Sequence, residues 1–323
     1  MNHLQSLFNS YPIPSSILLT LGSFHVLSTT CRISSFLYRK FLRPAKNILK
    51  TYGQSGSWAI ITGASDGIGK IFCKSLAQRG FNICLIARNY DKTEAARKEI
   101  QEEFPGIKTE LVIADFSKSI ENLSEFYQRI VDDLNEKNIN DIAILINNVG
   151  VGGTGHFEKM DYKNIANLIS VNVYPTAFMT RVIVPKMIER PKKSLVISLS
   201  SMSAVSPFAY MSVYGATKKF NDQFSKALAV EFKGRIDFLS LKPGFVSTNM
   251  LKTQPGGLVI TAEQCVEGCL RDVGWQRETA GYWKHDVVAW IVKEVLTKGM
   301  RLKKSNNMLA NSEKRKASQI KVE

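Results

Sequence analysis

Six short apolar runs, at residues 58–61, 82–87, 109–114, 142–146, 195–199 and 236–241, are bounded by Gly, Asn, Asp or Pro and separated by longer amphipathic stretches. Runs of this length that are apolar throughout read as strands buried on both faces. The intervening stretches contain candidate helices at 67–79, 92–103, 120–136, 163–189 and 213–232, the first four of which alternate with the strands at the spacing of βαβ units. Strands separated by helices pair in parallel, and the connecting helices cover the sheet. The expected fold is therefore α/β, a single doubly wound parallel sheet with helices on both faces. With 323 residues, 44% of them apolar, the chain has enough material for a full core.

The first strand runs directly into Thr62-Gly63-Ala64-Ser65-Asp66-Gly67-Ile68-Gly69, which opens the first helix. Glycines at 63, 67 and 69 let the backbone turn sharply and approach a pyrophosphate, whose charge then sits at a helix N-terminus. A glycine-rich loop can be only a turn, but a strand before it and a helix after it make it a dinucleotide loop and the sheet Rossmann-like. Gly63, Ser65, Asp66, Gly67, Ile68 and Gly69 are the candidate cofactor contacts. At the end of the second strand, where an acid would bind the ribose diol of NAD, stands Arg88, a cation suited to the extra phosphate of NADP. NADP(H) is the expected cofactor, and Asp91 nearby keeps NAD in view.

Tyr214 and Lys218 lie four residues apart, on one face of a candidate helix. Such a pair is expected about once by chance in a chain with this many tyrosines and bases. Its company carries more weight: Ser201 lies thirteen residues earlier, just after the fifth apolar run. Together with Asn147-Asn148-Val149-Gly150, Asn172 and Pro243-Gly244, these residues resemble the short-chain dehydrogenase/reductase family over about residues 55–250. Asn-Asn-Val-Gly in place of the commoner Asn-Asn-Ala-Gly, and the segment at 274–282, resemble its membrane-bound branch of 17β-hydroxysteroid dehydrogenases and very-long-chain 3-oxoacyl-CoA reductases.

The resemblance implies roles for these residues. Tyr214 would give a proton to the carbonyl oxygen as hydride reaches the carbon, and Lys218 would favour the phenolate and hold the nicotinamide ribose. Ser201 would donate a second hydrogen bond, and Asn172 would hold a water that relays protons to Lys218. Asp115 would meet the adenine and Asn147 would close the fourth strand. Pro243, Gly244, Val246 and Thr248 would hold the carboxamide and pyrophosphate. Alternative readings stand beside these: Ser201 is one of several loop hydroxyls with Ser200 and Ser203, and Asn172 could simply interrupt a helix. His156 and His285 have no partners at ligand spacing and read as surface residues, so no metal is expected.

The formal charge of +15 would suggest a nucleic-acid or anionic-membrane partner, but it is concentrated at the ends. Residues 1–50 carry Arg32, Arg39, Lys40, Arg43, Lys46 and Lys50 with no acid, and a basic tail follows residue 297. The middle is nearly neutral, with no footprint for a phosphate backbone, and no nucleic-acid partner is expected. Residues 13–31 lack Asp, Glu, Lys and Arg and precede the basic cluster, the pattern of a membrane anchor with its following residues in the cytoplasm. An interfacial helix and a cleaved signal are the alternatives. Five cysteines without a CxxC pair fit a reducing compartment, with Cys265 and Cys269 packing in a helix.

The expected organisation is an N-terminal anchor and basic flank over 1–50, a catalytic domain over 51–285, and an apolar helix with a basic tail over 286–323. The helix would pack on the body or lie on the membrane, and the tail would be disordered. The expected activity is NADPH-dependent reduction of a keto group on a lipid-like substrate at the endoplasmic reticulum membrane, catalytic body toward the cytoplasm. A long-chain 3-oxoacyl-CoA is favoured over a steroid, and a non-catalytic NADP-binding protein is the reading from another class. Resemblance adds a possible homodimer.

Overall fold

The computed structural model describes residues 12–295 and positions 306, 307 and 310. The expectation for the basic tail falls outside the described residues. The chain divides between Pro44 and Ala45 into two compact units.

In the larger unit the strands are β1 (Trp58–Thr62), β2 (Asn82–Ala87), β3 (Thr109–Ile113), β4 (Ile142–Asn147), β5 (Ser194–Leu199), β6 (Ile236–Leu241), β7 (Val246–Ser247), β8 (Ile260–Thr261) and β9 (Glu278–Thr279). Seven of them form one sheet in the order β3-β2-β1-β4-β5-β6-β9, parallel at every pairing, while β7 and β8 pair apart. All six expected strands are present. Their side chains alternate between two cores: Ala59 and Ile61 of β1 point into one, Trp58 and Ile60 into the other. Both faces are therefore covered, which is why these strands are apolar without alternation.

The helices of the larger unit are numbered after α1 (Pro12–Leu37) of the smaller one: α2 (Ile48–Tyr52), α3 (Gly67–Gln78), α4 (Tyr90–Glu103), α5 (Leu123–Glu136), α6 (Tyr162–Asn172), α7 (Tyr174–Ile188), α8 (Ser212–Glu231), α9 (Ala262–Asp272) and α10 (Trp283–Trp290). Phe72 and Leu76 of α3 pack with Cys265, Cys269 and Leu270 of α9 on one face, and Ile130 and Leu134 of α5 with Met179 and Ile183 of α7 on the other. Both cysteines thus pack in the core, and all five cysteines are free thiols.

Three expectations are refined. The single helix over 163–189 is two, because Pro175 supplies no N–H for a continuous ladder and the chain turns at Val173 (φ −103°, ψ −56°). The helix expected from residue 286 starts at Trp283 and buries His285, and the turn that continues it over Ile291–Val295 buries Val292, so of its two expected positions it takes the one packed on the body. For the anchor expected at 13–31, the finding is that among the described residues no helix is long and apolar enough to cross a membrane. Residues 13–31 do fall within α1, but Ser15, Ser16, Thr20, Ser23, Ser28, Thr29 and Thr30 dilute its apolar side chains. Leu18 and Phe24 on it are each 70% exposed.

Candidate active site

The strand order reverses between β1 and β4, and loops leaving the carboxyl ends of the strands there border a cleft of about 1860 Å³. Its floor is the glycine loop. Gly63 (φ +64°) and Gly67 (φ +52°) take left-handed backbone conformations that favour glycine. Gly69 is required for a different reason: a Cβ there would lie 2.2 Å from the Gly63 carbonyl oxygen and 2.5 Å from Asn148 Nδ2. Asn148 in turn donates from Nδ2 to the carbonyls of Thr62 (2.9 Å) and Gly63 (3.0 Å), fixing the loop to the end of β4. Asp66 caps α3, accepting from Gly67 N–H at 2.6 Å, and its second carboxylate oxygen accepts from Asn249 Nδ2.

Gly63, Ser65, Asp66, Gly67 and Ile68 line the cleft, as do Arg88 just after β2 and Lys92 in the first turn of α4. Pro243, Gly244, Val246 and Thr248 line its far side. Gly69, Asp115, Asn147 and Asn172 do not reach its lining. Gly69 packs beneath the loop, and Asp115 accepts from the N–H (3.1 Å) and hydroxyl (2.8 Å) of Ser117. Asn147 is buried, donates to Thr180 Oγ1 at 2.9 Å, and leaves its own Oδ1 without a partner among the described residues.

Ser201, Tyr214 and Lys218 come together on one wall. Ser201 is placed by the turn after β5, where its hydroxyl accepts from Ser203 N–H at 3.1 Å. Ser200, one residue away, is buried and donates to the Lys218 carbonyl at 2.6 Å, so it supports α8. Tyr214 occupies the first turn of α8, and Lys218 follows one turn later with Nζ 5.9 Å from the phenol ring centroid. Burial pushes the Tyr214 phenol above its ordinary range, with a hydrogen bond from Ser201 pulling the other way. Burial alone lowers Lys218 to about 8. Its ammonium donates to the Leu199 carbonyl at 3.1 Å.

Asn172 closes α6 behind this wall. Its Oδ1 accepts from Val151 N–H at 2.7 Å, and its Nδ2 donates to the Val151 carbonyl (3.0 Å) and Thr217 Oγ1 (3.1 Å). Its side chain holds the loop after β4 against α8. Asn221, which the sequence analysis did not single out, donates from Nδ2 to the carbonyls of Asn172 (3.0 Å) and Leu199 (3.2 Å). Its position one turn beyond Lys218 was the available signal.

His156 stays at the surface, 3.4 Å from Glu158 and against the Tyr210 ring. His285 corrects the sequence reading: it is 1% exposed, with both ring nitrogens bonded. Burial lowers its pKa, opposed by hydrogen bonding with the Leu258 backbone, the charge of Asp286 and hydrogen bonding with the Ala280 backbone.

The glycine floor, which a Cβ would fill, and the two cations Arg88 and Lys92, between β2 and the first turn of α4, fit a dinucleotide with a phosphate on its adenosine ribose. Comparisons with known proteins agree on the general class. The family model described as short chain dehydrogenase matches residues 57–256. A very-long-chain 3-oxoacyl-CoA reductase of Emericella nidulans is 28% identical over 322 residues, covering 96% of this chain and 91% of that one. The human protein named inactive hydroxysteroid dehydrogenase-like protein 1 is 34% identical over 251 residues, 75% of this chain and 72% of its own. Among solved structures, a short-chain dehydrogenase from Sphingobium yanoikuyae in complex with NADPH shares the fold with a TM-score of 0.61 at 23% identity, covering 75% of this chain and 97% of that one.

Proposed function

The chain belongs to the short-chain dehydrogenase family, whose members are NAD(P)-dependent oxidoreductases, and on that premise we propose that it reduces the keto group of a long-chain 3-oxoacyl-CoA with NADPH. The observation that carries the reading is the intact set of Ser201, Tyr214 and Lys218 on one wall of a cleft floored by the glycine loop.

NADPH, when bound, supplies the hydride that reaches the carbonyl carbon. Negative charge then grows on the carbonyl oxygen and needs a donor. Tyr214, a phenol that burial makes still harder to ionise, carries its proton at neutral pH and is poised to give it to the oxygen. Ser201 donates a second hydrogen bond and orients the carbonyl. The ammonium of Lys218 lowers the cost of the phenolate that Tyr214 becomes. Asn172 and Asn221 fix the backbone around Lys218, through which a proton returns to Tyr214. Arg88 and Lys92 hold the extra phosphate that distinguishes NADP from NAD, whereas Asp91 lies outside the cleft lining. Asp115 and Asn147 support the cofactor from beneath. The cavity size suits a long, flexible substrate.

The relative at 28% identity, spanning nearly the whole of both chains, carries the acyl-CoA preference. A steroid substrate is the second reading, drawn from the hydroxysteroid dehydrogenase-like relatives. We further propose that α1 lies on the endoplasmic reticulum membrane through its exposed Leu18, Phe24 and Leu27, with the catalytic body in the cytoplasm and two copies associating as a dimer. The decisive variant is Tyr214→Phe. It should retain NADPH binding, seen by cofactor fluorescence, and lose turnover of a long-chain 3-oxoacyl-CoA by about a hundredfold or more. Unchanged turnover would refute the assignment. Full NADPH binding with no turnover of any ketone by the unaltered protein would favour a non-catalytic NADP-binding role, as the relative named inactive suggests.

A further inference from the structure

His285 bonds two stretches of the cleft lining, the Gly244 turn and Leu258, just ahead of the short β7–β8 pairing that follows them. It projects from α10 and is almost fully buried. On one side the Gly244 N–H donates to its Nδ1 at 3.1 Å, and on the other its Nε2 meets the Leu258 carbonyl at 3.0 Å. A backbone N–H can only donate and a carbonyl can only accept. Both bonds therefore require one tautomer, neutral and protonated at Nε2.

The two partners belong to different parts of the site. Gly244 follows β6, and the Pro243 carbonyl beside it accepts from Met202 N–H at 2.9 Å, which ties this turn to the residue after Ser201. Leu258 lies near the end of the segment 248–259, whose Met250, Leu251 and Lys252 also line the cleft. The fit at Gly244 leaves no slack: a Cβ there would stand 3.0 Å from His285 Cδ2 and Nε2 and 3.1 Å from the Met202 methyl. Two residues beyond Leu258 the Ile260 N–H donates to the Phe245 carbonyl at 3.1 Å in the β7–β8 pairing, and Ser247 donates to the Thr253 carbonyl at 2.7 Å. Gly256 and Val259 exchange backbone hydrogen bonds with one another, and Lys284 donates to the Gly257 carbonyl at 3.3 Å.

The geometry points to His285 as a positioning residue that sets segment 248–259 against the Gly244 turn, and so fixes the width of the substrate mouth relative to the nicotinamide. This rests on the reading of Pro243-Gly244 as the turn that holds the nicotinamide carboxamide. The imidazole itself borders the cleft, and both of its ring nitrogens are engaged with backbone. It extends the tie made by the β7–β8 pairing to Gly244 and Leu258, ahead of the first paired residues, which one acceptor and one donor on a rigid ring can do.

Two substitutions separate its two ends. His285→Asn keeps an acceptor near Nδ1 for Gly244 and gives up the bond to Leu258. His285→Gln keeps a donor near Nε2 for Leu258 and gives up the bond to Gly244. In the full-length protein His285→Asn should raise KM for the keto substrate and speed trypsin cleavage after the exposed Lys252 by about fivefold to tenfold, the equivalent of one lost hydrogen bond. Its NADPH dissociation constant should stay within about twofold, less than one hydrogen bond is worth. His285→Gln should do the reverse, weakening NADPH binding and lowering kcat while Lys252 stays protected. Equal effects of both variants on every readout, or unchanged kinetics and proteolysis, would overturn the proposal. Should neither variant fold, the unaltered protein still decides through nitrogen NMR of its four histidines. A His285 ring protonated at Nε2 alone is expected at neutral pH, and a ring protonated at Nδ1 contradicts it. The proteolysis, NADPH binding and NMR readouts need no keto substrate, so they stand even if the acyl-CoA assignment fails.

Discussion

Tyr214 and Lys218 sit one helical turn apart, and burial moves their proton affinities in opposite senses, the phenol up and the ammonium down to about 8. The phenol is then the donor that ketone reduction needs at neutral pH, and the charge that stabilises its phenolate is the first thing lost as pH rises. For the reduction, kcat/KM should hold level through neutral pH and fall above about pH 8, since this ratio reports the free enzyme. Lys218→Arg, whose guanidinium keeps its proton, should carry that falling limb out of the accessible range. A limb that stays in place would assign it to another group. Gly69 offers a test of the cofactor floor. Gly69→Ala puts a methyl group 2.2 Å from the Gly63 carbonyl and must displace the loop or Asn148. A stability loss of about 1–3 kcal/mol is expected, together with weakened NADPH binding, and calorimetry with cofactor titration measures both.

At the scale of elements, β9 is only two residues long and its place beside β6 depends on charge. Asp222 of α8, 1% exposed, accepts from Ser240 of β6 at 2.9 Å and from Lys226 at 3.0 Å, while Lys226 and Lys242 both pair with Glu278 of β9. Partial burial raises the Glu278 carboxyl, but hydrogen bonds from the two lysines prevail and hold it near 2. A depressed carboxyl stabilises the fold above its unfolded-state pKa, and that contribution disappears as pH falls through its folded value. Wild type should therefore lose stability between about pH 4.5 and 2 from this site, and Glu278→Gln should lack that component in denaturation curves taken across the window.

Sequence patterning revealed the six long strands because each is buried on both faces and apolar throughout. It did not reveal β7, β8 and β9, which have two residues each and no period to detect. It also merged α6 and α7, since the turn at Val173 breaks the backbone but leaves the apolar face continuous. Ser201, Tyr214 and Lys218 were legible through the family resemblance that their spacing carries together with the glycine loop and the Asn-Asn-Val-Gly and Pro-Gly motifs. His285 was not, because its partners are a backbone N–H and a backbone carbonyl distant in sequence. Residue type gives no sign of such contacts.

The whole molecule combines a catalytic body with a separate N-terminal unit whose helix exposes Leu18, Leu21, Phe24 and Leu27. The proposal that this helix, with Arg32 in its last part and Arg39 after it, lies on a membrane surface has a direct test. Replacing Leu18 and Phe24 with Glu should release the protein from anionic vesicles in sedimentation while leaving NADPH oxidation with a short, soluble ketone unchanged. Loss of both would mean that the helix supports the active site. The central claim concerns the substrate. The most direct measurement is NADPH oxidation by the purified full-length protein, offered a long-chain 3-oxoacyl-CoA and a 17-keto steroid in parallel, with Tyr214→Phe as the blank. Turnover of the acyl-CoA that vanishes in the blank is the predicted result, and turnover of the steroid alone, or of neither, would contradict it.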